Sequence, residues 1–82
     1  MYQKIDEPID VVAVFEGSRV RPVRFRWQGR TYRLKEITAS WQTWVGTDVK
    51  HHFSAIDQSS AYVQLTYDTA QRSWALAKIW LD

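Results

Sequence analysis

Residues 20–35, VRPVRFRWQGRTYRLK, decide how this chain folds. Val23, Phe25 and Trp27 alternate with Arg24 and Arg26, the period of two that a half-buried strand requires. Gln28-Gly29 then supplies a two-residue loop, with glycine free to take a positive φ, and the chain returns along residues 30–35. A loop at 28 and 29 sets Trp27 against Arg30, Phe25 against Tyr32 and Val23 against Leu34, so the two apolar faces coincide. The same register sets Arg24 opposite Arg33 and Arg26 opposite Thr31 on the other face, with Lys35 beyond them.

Past Lys35 the alternation fails, because Ile37, Ala39 and Trp41 share the parity of the basic residues. One extra residue near Lys35-Glu36 returns them to the core, so a β-bulge is predicted there. Working outward, IDVVAVF (9–15) is a β-branched run that forms a first strand, closed by a turn at Glu16-Gly17-Ser18. Residues 41–50, WQTWVGTDVK, lack a period and are read as a strand end followed by a loop. Residues 51–56 form a fourth strand, Asp57-Gln58-Ser59-Ser60 a turn, and residues 62–67 a fifth strand. A longer loop at 68–73 leads to a last strand at 74–81, in a register that matches Tyr67 with Trp74 and Leu65 with Leu76. No segment carries a helical stripe. The expected architecture is all-β: one domain over residues 1–82, about six antiparallel strands in a meander, forming a small barrel or a strongly twisted sheet.

Eighty-two residues leave room for one compact unit and exclude most enzyme folds. A chain of 9.7 kDa buries roughly 64% of its unfolded surface, a thin core to which five Trp, four Tyr and three Phe add large side chains. There is no cysteine, hence no disulfide and no thiolate nucleophile or metal ligand. The N-terminus has no apolar signal region and no run approaches the ~18 apolar residues of a membrane span, so a soluble, cytoplasmic protein without membrane partners is expected.

The net charge of +2 conceals an asymmetry. Residues 19–35 hold seven positive side chains and no acid, whereas the remainder holds four basic and nine acidic residues. In the hairpin register Arg24, Arg26, Arg33 and Lys35 share one face, and like charges directly opposite destabilise a sheet. A polyanion is one compensating partner, since guanidinium forks match phosphate oxygens and a rigid ribbon fixes their spacing. The competing account is internal: Glu7, Asp10, Glu16 or Glu36 lie against these arginines as surface ion pairs, or the charges serve only to keep an exposed strand from pairing.

Phe25, Trp27 and Tyr32 belong to the apolar face of the hairpin and are read as core, with Arg30 covering Trp27 as a cation–π partner. Trp41 and Trp44 lie three residues apart, cannot both point inward from a regular strand, and leave one indole for a partner. His51 and His52 are adjacent, so a strand sends them to opposite faces and they do not share a metal. No nucleophile has a motif context near them, and the three glycines at 17, 29 and 46 form no phosphate loop. Asp6, Glu7 and Asp10 around Pro8 read as a lead-in to the first strand. No catalytic residue, metal or cofactor is expected.

Asp6-Glu7-Pro8-Ile9, then Pro22-x-x-Phe25-x-Trp27-x-Gly29-Arg30-x-Tyr32, Trp41, Phe53 and Trp74-x-Leu76-x-Lys78, resemble a small bacterial domain family without assigned activity, over nearly the whole chain. Its most specific element is the FxWxGRxY stretch. Members are short stand-alone proteins, and similar domains sit at the C-terminal end of some Y-family polymerase-like proteins of DNA damage tolerance. The chain departs from the pattern where His51-His52 stand in place of common arginines and where Leu81 separates Trp80 from Asp82.

Together these readings lead to a non-enzymatic binding module. Arg24, Arg26, Arg30, Arg33 and Lys35 are the expected contacts to single-stranded or duplex nucleic-acid backbone. The alternative is a protein-interaction or self-associating module that uses an exposed strand edge and Trp41 or Trp44.

Overall fold

The computed structural model describes residues 2–80. Six strands, β1 (Tyr2–Glu16), β2 (Arg19–Trp27), β3 (Arg30–Val45), β4 (Asp48–Asp57), β5 (Tyr62–Asp68) and β6 (Ser73–Trp80), follow one another in a meander. Each pairs antiparallel with the next, and β1 pairs with β6 to close a barrel. The all-β expectation holds, and the sheet closes.

The decisive hairpin has the expected register: Arg24↔Arg33, Phe25↔Tyr32, Arg26↔Thr31 and Trp27↔Arg30. Its turn takes positive φ at both Gln28 (52°) and Gly29 (74°), the handedness that suits a two-residue loop between twisted strands. Phe25 and Tyr32 stack with ring centroids 4.8 Å apart, and both are buried in the central cluster with Phe53, Val63, Leu65, Trp74, Leu76 and Ile79. Trp27 packs against the edge of this cluster and donates from Nε1 to Glu7 Oε1 at 3.3 Å. The second expected hairpin register, Leu65↔Leu76 and Tyr67↔Trp74, is also present.

Several expectations need correction, and most of the errors come from bulges. β1 begins at Tyr2, so the acidic segment around Pro8 is strand and not a lead-in. Its alternation is hidden by a register shift between Lys4 and Glu7, where Asp6 takes a φ of 54°. Val23 does not pair with Leu34, which instead pairs with Asp57. A shift opposite Val12/Ala13 makes Val23 an extra residue, and the fully buried position falls to Pro22. The bulge predicted near Lys35-Glu36 is present and returns Ile37 to the core. A second shift between Ile37 and Ala39 turns Ala39 and Trp41 outward again. Residues 41–45 are the expected strand end, but the loop after them shrinks to a tight Gly46-Thr47 turn, with Gly46 at φ 63°, and β4 starts already at Asp48. The last strand is described to Trp80, and Leu81 lies outside the described residues.

Asp57 organises the turn between β4 and β5. Its carboxylate is buried and accepts from the amides of Ser59 (3.0 Å) and Ala61 (2.8 Å) and from the Ser59 hydroxyl (2.9 Å). Among the described residues, no buried side-chain polar atom lacks a hydrogen-bond partner.

Candidate nucleic-acid interface

The extra residue in β2 decides where the arginines point. Before it, Val20 and Pro22 face inward; after it, Phe25 and Trp27 do. Arg19 and Arg21 therefore share the outer face with Arg24 and Arg26, although their parities differ. Successive outward residues on a strand stand about 7 Å apart, so the four form a row along β2. Arg33 stands beside Arg24 on the neighbouring strand, and all five side chains are exposed.

Carboxylates flank this row without covering it. Asp10 is the register partner of Arg26 and Glu16 that of Arg19, whereas the central Arg21 and Arg24 face Val14 and Val12. Glu7 is occupied by the Trp27 indole, and Glu36 sits next to Lys35 at the β3 bulge. Among the described residues no arginine of the row lies within ion-pairing distance of an acid; Lys4 and Asp6, away from the row, form an ion pair at 3.7 Å.

Arg24, Arg26 and Arg33 thus come together as the register requires, while Lys35 is displaced to the edge of the group. Arg30 is diverted. Its guanidinium donates to Ser59 Oγ at 3.3 Å and lies 4.9 Å from the Tyr32 ring centroid, so the aromatic it covers is Tyr32 and not Trp27. Arg19 and Arg21 were not among the expected contacts. Proline within a strand is a bulge signal, and Pro22 would have reset the parity that hides them.

Beside the row the wall of the barrel opens. The β2–β3 ladder ends at Arg24↔Arg33, after which β3 departs to pair with β4. The gap is a cleft of about 840 Å³, with Arg19 and Arg21 on one wall, Trp41 and Trp44 on the other, and Phe53 between. Trp41 and Trp44 are both exposed. Trp41 stacks on His52 at 5.4 Å between centroids, whereas Trp44 is 61% exposed.

His52 is held at both ring nitrogens, by Thr43 Oγ1 at 2.8 Å and Thr66 Oγ1 at 3.2 Å. Partial burial, then the nearby charges of Lys50 and His51, lower its pKa below the ordinary 6.5. The unfolded chain therefore takes up this proton first. Stability falls as pH drops below about 6.5 and levels off once folded His52 is itself protonated. Urea midpoints measured between about pH 7.5 and pH 5 should decline accordingly. His52→Gln should flatten that part of the profile, and an unchanged profile in the variant would assign the decline to other groups.

Among the described residues no group of three or more His, Asp or Glu side chains is placed to hold a metal ion. No helix of the described residues is long and apolar enough to cross a membrane. No curated protein and no solved structure matches the chain. One family model does match, that of a domain of unknown function (DUF6504), and it spans residues 1–81. Since the match covers nearly every position from the β1–β6 seam to the arginine hairpin, the chain belongs to the DUF6504 family.

Proposed function

We propose that this domain binds the sugar–phosphate backbone of nucleic acid, by contact and without catalysis, through the outer face of β2. The carrying observation is the arginine row whose centre, Arg21, Arg24 and Arg33, has no carboxylate among its cross-strand partners. A rigid ribbon fixes the spacing of the points from which the guanidinium groups project, and their planar forks match phosphate oxygens. A phosphate chain relieves the Arg24–Arg33 repulsion that the fold itself leaves in place. A place beside Y-family polymerase-like proteins, which the sequence resemblance implies for similar domains, would give such binding a role in DNA damage tolerance.

Neutralising five phosphates of a single strand releases counterions in proportion. Log affinity for an oligonucleotide should therefore fall with log salt at a slope of about −3.5. Fluorescence anisotropy of a labelled 12-mer across a salt series measures the slope. An affinity that does not respond to salt would overturn the backbone reading.

A further inference from the structure

We infer that the cleft between β2 and β3 receives unpaired nucleobases, with Trp44 as the stacking surface, so that the preferred ligand is single-stranded. This rests on the backbone reading above and goes beyond it. Arg19 and Arg21 belong to both features: they form one end of the outward row and one wall of the cleft. A backbone held along β2 therefore passes the mouth of the cleft, and the bases it carries reach the opposite wall. That wall presents Trp44, which is 61% exposed and whose indole has no ring or hydrogen-bond partner among the described residues. An indole left in water next to a cationic wall suits a ligand that is flat and apolar on its faces and anionic along its edge.

The rest of the lining agrees. Ser18 and Ser40 offer hydroxyls to base edges, Gln42, whose Nε2 is hydrogen-bonded to His51 Nδ1 at 3.3 Å, offers its amide oxygen, and Glu16, the acid on the arginine wall, is the register partner of Arg19. The volume of about 840 Å³ lies within the range of about 300–1,000 Å³ usual for small-ligand sites. Paired and stacked bases of a duplex have no free faces to insert, so a duplex meets the arginine row alone.

The test compares three probes of equal length: oligo-dT, an abasic oligonucleotide with the same phosphates, and a duplex. Oligo-dT is expected to bind the wild-type protein about tenfold more tightly than the abasic strand. Trp44→Ala should bring oligo-dT to the abasic level without changing the abasic affinity, and Trp44→Phe should restore part of the difference. Because Trp44 is exposed, the thermal midpoint of each variant should match the wild type. Equal affinity for oligo-dT and the abasic strand, with Trp44→Ala silent, overturns the cleft inference and leaves backbone binding intact. Failure of both strands to bind overturns the backbone reading itself. A dimer seen by sedimentation and lost in Trp44→Ala, without any preference for bases, would assign the cleft to strand addition by a second copy and overturn this inference as well.

Discussion

Asp57→Ala is expected to lower the unfolding free energy by about 2–3 kcal/mol, because it leaves the buried Ala61 amide without a partner and releases Ser59 from the turn. Ala61 is only 4% exposed, so its amide, 2.8 Å from Asp57 Oδ1, has no route to bulk water. The same carboxylate holds Ser59 by amide and hydroxyl, and Ser59 Oγ in turn accepts from Arg30 at 3.3 Å. One side chain therefore ties the β4–β5 turn to the tip of the β2–β3 hairpin. A domain of this size has about 4–12 kcal/mol in total, so the loss is a large share of its stability. Urea denaturation followed by tryptophan fluorescence measures it. Asp57→Asn keeps one acceptor oxygen and should fall between the two. A midpoint unchanged in the alanine variant would show that the turn stands without the carboxylate.

Arg24→Glu is expected to move stability and binding in opposite directions. Arg24 and Arg33 are direct cross-strand partners, and neither has an acid within pairing distance among the described residues. Replacing a like-charge pair by an opposite one should stabilise the sheet by about 0.5–1 kcal/mol. That raises the thermal midpoint by several degrees, at about 4–8 °C per kcal/mol for a domain this small. Oligonucleotide affinity at low salt should meanwhile fall about 30-fold, since one charged contact is lost and a repulsive one replaces it. A surface evolved only for folding would show the gain without the loss. If both quantities fell together, the variant would instead have damaged the hairpin.

The core hairpin was legible in the sequence because every signal there is local: the alternation of Phe25 and Trp27 with Arg24 and Arg26, the Gln28-Gly29 turn, and a return strand whose parity agrees. The Leu65–Leu76 hairpin was legible for the same reason. Features set by extra residues were harder. Thr38 anchors the second β3 bulge by donating to the Ser54 carbonyl at 3.1 Å, a contact with β4 that no pattern within β3 announces. The nearby Tyr62 phenol is held below its usual range by hydrogen bonds with Ser54 and Thr38. In the candidate interface, Arg24, Arg26 and Arg33 follow from the period of two, but Arg19 and Arg21 join them only through the bulge after Pro22. Arg30 is drawn away by a serine on a distant turn, and the cleft beside Trp44 exists because β3 exchanges one neighbour for another. Both are long-range events that sequence spacing does not encode.

The β1–β6 seam governs the kinetics of assembly. Tyr2 pairs with Trp80 and Ile9 with Trp74, so residues 2–9 of β1, unlike residues 10–16 that pair with β2, find their partner only when β6 has been made. Until then one edge of β1 must wait in water, exposed to pairing with other chains. Loop closure across nearly the whole sequence places such a barrel among the slower folders of its length, in the millisecond-to-second range. Asp6 at its positive φ and the bulge beside it sit on that waiting edge, where an interrupted strand is a poor template for a stranger.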